Sequence, residues 1–174
     1  WPVPPWDCRR LPTYPPLLPH PPLHPPVRAF HDLIYYEFYE SNVKTKKGSN
    51  ELVEYAIKLP GANPRDKHIY LPIDAKFPQE DYIRLQSAYE SGDVISVERS
   101  LKSLLQAVKK FAKDISSKYI DPPNTTDFGI MFLPVEGLFA EVIRQPDIIA
   151  FLQREYKIVI TGPTTLAAML NSLQ

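Results

Sequence analysis

The sequence predicts an α/β domain. Two segments with alternating apolar residues meet around a turn, helical apolar stripes follow them, and strands and helices then alternate to the end. At 174 residues, 44% hydrophobic and 23% charged, the chain suits one globular domain with a real core.

The first 26 residues hold eleven of the 20 prolines. Proline fixes φ and lacks a backbone donor, so residues 1–27 read as an extended or disordered leader and residues 28–174 as the folded domain. Pro16 to Pro19 and Pro22 to Pro25 have the spacing of a polyproline ligand for an adaptor role. A linker or a cloning remnant explains the composition more simply. His20 and His24 stand there without an acidic or thiol partner, a weak metal signal. The chain begins at Trp1 and ends in an apolar helical pattern, which reads as a fragment truncated at its C-terminus.

"VRAFHDLIYYEFYES" (27–41) has helical spacing, with Phe30, Leu33, Ile34 and Phe38 on one side. "NVKTKKGSN" reads as a polar turn or short edge strand. In "LVEYAIKL", Val53, Tyr55, Ile57 and Leu59 alternate with Glu54, Ala56 and Lys58. After the turn "GANPRDK", "HIYLPIDAKF" sets Ile69, Leu71, Ile73 and Ala75 against Tyr70, Pro72, Asp74 and Lys76. Pro72 suggests an edge or a bulge. A helix over 79–90 should bury Tyr82, Leu85 and Tyr89 and end at Gly92. A longer one, capped by Asp93, should bury Val97, Leu101, Leu104, Val108, Phe111 and Ile115. "TDFGIMFLP" predicts a strand covered on both faces. Helix, proline break and helix follow, then the strand "KIVIT" and a helix opened by Pro163.

Asp74 and Lys76, two apart, share one strand face. A hairpin symmetric about Pro64 pairs Lys58 with Tyr70, Ala56 with Pro72 and Glu54 with Asp74. The last two Cβ atoms would be roughly 4.5–5.5 Å apart. Facing carboxylates repel unless one is protonated or a cation intervenes, and a hard divalent ion suits them. The plainer alternative makes Asp74 and Lys76 solvated strand-end charges and pairs Glu54 with Lys58. A register slip of one residue would remove the site.

Residues from about Asn42 to Gln174 resemble the RmuC family of bacterial DNA recombination proteins. The stretches that carry the likeness are "NVKTKKGSNELVEYAIKLPG", "LPIDAKFPQEDYIRL", "FAKDISSKYIDPPNTTDFGIMFLPVEGLFAEV" and "LQREYKIVITGPTTLAAMLNSLQ". That family resembles the PD-(D/E)xK nuclease superfamily. The likeness implies a restriction-endonuclease-like core, a central mixed sheet flanked by helices. It makes Glu54 the first acid, Asp74 the second and Lys76 the lysine. Glu stands where Asp is usual and no proline precedes it. Glu37 or Glu40 would supply the superfamily's frequent helical acid, and Gln86 to Tyr89 is one residue short of its QxxxY.

The function expected is Mg²⁺- or Mn²⁺-dependent hydrolysis of DNA phosphodiester bonds. Glu54 and Asp74 would hold the metal, and Lys76 would assist water or the developing charge. A non-catalytic DNA-binding scaffold that regulates recombination is the rival. With 20 basic and 20 acidic side chains the net charge is zero, so DNA contacts need local clusters. Lys44, Lys46 and Lys47, with Lys102, Lys109, Lys110 and Lys113 on the long helix, are candidates, as is an ordinary solvated helix face. Thr161 to Thr165 could bind an anion at a helix start, though capping explains the threonines more simply. Glu136 would face a cleft or favour its own helix N-terminus.

The lone Cys8 excludes an intrachain disulfide or a thiolate zinc site and fits a reducing bacterial cytoplasm. No apolar run reaches the roughly 18 residues a span needs. Full-length family members carry a membrane anchor or coiled coil where this chain has its proline-rich leader.

Overall fold

The computed structural model describes residues 39–61 and 68–173. The leader, Glu37 and the turn around Pro64 lie outside them. Five strands form one sheet whose spatial order is the chain order: β1 (Tyr39–Val43), β2 (Val53–Leu59), β3 (Ile69–Ala75), β4 (Gly129–Phe132) and β5 (Ile158–Thr161). Short connections make β1, β2 and β3 antiparallel, whereas helical crossovers make β3, β4 and β5 parallel. The sheet is therefore mixed.

Between β3 and β4 run α1 (Gln79–Ser91) and α2 (Val94–Tyr119). Between β4 and β5 run α3 (Glu136–Ile143), α4 (Pro146–Phe151) and a π-helical turn at Leu152–Tyr156. The last helix is α5 (Pro163–Ser172). On one face of the sheet Ala56, Met131 and Ile158 join a core with Leu85, Leu104, Val108 and Leu138. On the other, Tyr55, Ile73, Ile130 and Phe132 pack with Leu166 and Leu170 of α5. Helices thus cover both faces, and β4 is buried at every position, as its unbroken apolar run requires.

Gly92 closes α1 in the left-handed region, at φ 68, and the Asp93 carboxylate accepts the Ile95 N–H at 3.1 Å to open α2. Along α2 the fully buried side chains include Leu104, Val108 and Ile115, with Val97, Leu101 and Phe111 partly covered. On α1 the stripe runs Tyr82, Leu85, Ala88. Tyr89 is 47% exposed and donates its hydroxyl to Glu141 at 3.0 Å, because a step of three from Leu85 faces the core better than a step of four.

Three further expectations need correction. Tyr39, Glu40 and Ser41 belong to β1, where pairing with Ile57, Ala56 and Tyr55 satisfies a backbone that local spacing assigned to a helix. The rest of that expected helix lies outside the described residues. Pro72 sits in the central strand rather than at an edge. The Tyr70 N–H donates to Asn124 O at 3.1 Å, so even-numbered donors of β3 point towards β4. The β3–β4 ladder begins only at Ile73, and Gly129 lies against the proline ring. The missing donor therefore falls where no ladder partner stands.

The third correction concerns the start of α5. Its N-cap, Gly162, receives no side-chain cap, and the threonines do not supply one. Instead Glu136 Oε1 accepts the Thr164 N–H at 2.6 Å, so the carboxylate at the head of α3 fills the anion-binding end of α5. A Cβ at residue 162 would come within 2.7 Å of Phe139 Cδ1 and 2.8 Å of Glu136 Oε2. Gly162→Ala is expected to cost about 1–3 kcal/mol through overpacking and loss of this tether. Urea unfolding measures it, and an unchanged midpoint would refute the account.

Candidate metal centre

The expected strand register is the one observed. Lys58 pairs with Tyr70 and Ala56 with Pro72, and the ladder runs as far as Tyr55 and Ile73. One further step sets Glu54 opposite Asp74, just beyond the last ladder pair. Beside this point, Asn42 of β1 adopts φ 54 and the β1–β2 ladder skips the Asn42–Glu54 position.

Asp74 is a buried side chain, only 1% exposed, and not a solvated strand-end charge. Lys58 pairs with Glu40 at 3.5 Å, not with Glu54. Lys76 Nζ lies 2.6 Å from Asp74 Oδ2. The ammonium therefore holds Asp74 Oδ2, whereas Glu54 Oε2 is a buried oxygen without a hydrogen-bond donor. Burial pushes the Asp74 carboxyl upward, while Lys76 and Lys118 pull it down. Burial and the Asp74 charge raise Glu54, against Lys76 and the Ala75 backbone N–H. Two neighbouring acids therefore resist ionising together.

The long helix closes the site. The Lys76 ammonium lies 5.9 Å from the Phe111 ring centroid. Tyr119 is buried, and its hydroxyl is pushed up to about 12 by burial and by the charges of Asp74, Glu51 and Glu54. It stays protonated at neutral pH. Lys118 reaches Glu51 at 3.6 Å at the rim. Sequence alone assigns Phe111 and Tyr119 to the core and gives Lys118 no role, although steps of seven and one from Phe111 place Lys118 and Tyr119 on its side of α2.

A raised Glu54 pKa has a definite sign for stability. The protonated group's contribution is complete below the ordinary value of 4.5 and is lost as pH rises through the raised folded value. Glu54→Gln, which removes the charge, should therefore raise the metal-free melting temperature at neutral pH. The gain should shrink on acidification. A variant less stable than the parent at pH 7 would contradict this.

The other candidates do not join the acid pair. Glu40 is on β1, accepting the Tyr70 hydroxyl at 2.6 Å, so it is not a helical acid of the site. Gln86 and Tyr89 are exposed on α1. Lys44, Lys46 and Lys47 line one cleft, whereas Lys102 and Lys109 line a separate groove between α2 and α4. Lys109 lies 4.8 Å over the Phe151 ring, and Lys113 is exposed. Among the described residues no cluster of three or more His, Cys, Asp or Glu could hold a metal, so the acid pair stands alone. No helix of the described residues is long and apolar enough to cross a membrane.

With this geometry, residues 31–174 match the RmuC family, and the chain belongs to it. It is 49% identical over 138 residues to the DNA recombination protein RmuC homologs of two Xylella fastidiosa strains, Temecula1 and 9a5c. Each alignment covers 79% of this chain and 30% of the relative. The Pseudomonas aeruginosa protein of the same description is 29% identical over 141 residues, 76% of this chain and 28% of that one. The chain thus spans under a third of the length of these relatives. No solved structure matches it.

Proposed function

We propose that this chain carries the nuclease core of a DNA recombination protein, a restriction-endonuclease-like fold that hydrolyses DNA phosphodiester bonds with Mg²⁺ or Mn²⁺. The observation that carries the reading is the Glu54–Asp74 pair: adjacent buried carboxylates beside Lys76, with Glu54 Oε2 lacking a donor. The donor set fits a hard cation. Magnesium commonly takes one or two carboxylates and completes its shell with water and phosphate, so the lack of a third acid suits it. That the relatives are DNA recombination proteins supports DNA as the substrate.

Glu54 and Asp74 would hold the cation, which supplies Lewis acidity to the phosphate and an acidified water. Asp74 Oδ2 now faces Lys76, so its charge is balanced from within the chain. Lys76 Nζ, partly exposed and steadied over Phe111, is placed to orient the attacking water or neutralise charge building on the phosphate. The protonated Tyr119 adds no charge to the site.

A non-catalytic DNA-binding scaffold has one observation in its favour: Lys76 already compensates Asp74. Incubation of single-stranded, duplex and branched DNA with Mg²⁺, Mn²⁺ or EDTA separates the two. Product formed only with metal supports the nuclease. A salt-sensitive, metal-independent gel shift without product supports the scaffold and removes the catalytic reading.

A further inference from the structure

A second polar site lies further along the strand that carries Asp74. An open cleft of about 550 Å³ is lined by Lys44, Lys46 and Lys47 of the β1–β2 turn, by His68 and Tyr70 at the start of β3, and by Asn124. Among the described residues no carboxylate lines it. Two acids stand at its edge, each already holding hydrogen bonds from residues that line it. Glu40 accepts the Tyr70 hydroxyl and faces Lys58. Asp121 Oδ2 accepts the Lys47 backbone N–H at 3.0 Å and Asn124 Nδ2 at 2.9 Å.

The lysines differ in how they are held. Lys46 Nζ donates to Ser117 O at 2.8 Å and so fastens the turn to the end of α2. Thr45 does the same from a buried position, donating to Tyr119 O at 2.8 Å. Lys44 Nζ donates to Asn50 Oδ1 at 3.1 Å, a neutral partner on the surface. Among the described residues no ion pair holds Lys44, Lys46 or Lys47. Three lysines therefore line a cleft with a fixed rim, Asp121 is the acid beside them, and Lys44 and Lys47 keep their ammonium groups out of any ion pair among the described residues.

We propose that this cleft grips a backbone phosphate of the DNA strand a few nucleotides from the phosphodiester that lies at Glu54 and Asp74. This deepens the proposed function and rests on it. Tyr70 and Asp74 project from the same face of β3 four residues apart, about 13 Å along a strand. At about 3.4 Å per nucleotide step in a duplex, that is a span of roughly four steps. The turn that forms the cleft also leads directly into β2, which carries Glu54. A phosphate held by Lys44 and Lys47 thus sets which bond reaches the acid pair, while Lys46 keeps the turn in place.

The test is metal-free binding of a short fluorescein-labelled oligodeoxynucleotide, followed by anisotropy across a salt series in EDTA. Lys44→Ala with Lys47→Ala should weaken binding about tenfold and flatten the slope of log K against log salt by about one. Both side chains are exposed, so the fold should persist by circular dichroism. Lys44→Arg with Lys47→Arg should retain binding, and Arg84→Ala with Arg99→Ala, exposed cations of α1 and α2, should leave it unchanged. Parental affinity in the first pair, or equal weakening in the arginine pair, would overturn the proposal. Asp74→Ala should bind at least as well as the parent in the same assay. Failure of the cleft would therefore leave metal-dependent cleavage standing, and failure of cleavage would leave the binding result standing.

Discussion

Asp74→Ala is expected to lower metal-dependent DNA cleavage by on the order of 100-fold or more, since even partners one step removed from a metal cost 10–100-fold. The size of the effect follows from isolation. Among the described residues no third acid stands ready to replace Asp74 beside Glu54. The fold should survive. The lost carboxylate is one that burial disfavours in its charged form, and the Lys76 ammonium left behind is partly exposed. Any rise in melting temperature that Mg²⁺ or Mn²⁺ gives the parent should be lost in the variant. Equal cleavage by variant and parent would remove the enzyme reading.

Phe132→Ala is expected to cost about 3–5 kcal/mol, a large fraction of the roughly 5–15 kcal/mol that holds a domain together. Phe132 is fully buried in β4 and packs in the core beneath α5. It pairs with Ala75 on one side and Thr161 on the other, and its carbonyl accepts the Lys76 N–H at 2.9 Å. The cavity would open under the strand end that carries Lys76. Urea unfolding should show the loss, and a cost under about 1 kcal/mol would mean the sheet closes around the gap.

Patterns whose period survives burial were legible in the sequence. The β2–β3 register followed from alternation about a turn, the α2 face from steps of three and four, and β4 from an unbroken apolar run. The family likeness was equally readable, because it rests on long matching stretches. What escaped depends on partners distant in sequence. β1 is a strand because β2 pairs with it, which its own spacing does not reveal. Pro72 is central because Gly129, far along the chain, opens the neighbouring strand late. The threonines around the start of α5 have the look of caps, yet a glutamate from α3 takes the free Thr164 N–H. Asp74 was placed on the right face, but its burial depends on α2, whose packing alternation along β3 cannot report.

The strand carrying Asp74 is the one at which the sheet changes from antiparallel to parallel pairing, so it is clamped on both edges. Glu54 lies past the last rung of its ladder, opposite the left-handed kink at Asn42. The two acids therefore differ in mechanical standing. Asp74 is an anvil braced against β4 through its pairing with Met131, and Glu54 is a jaw braced against β1 by the pairs on either side of the Asn42 kink, with no rung joining the two.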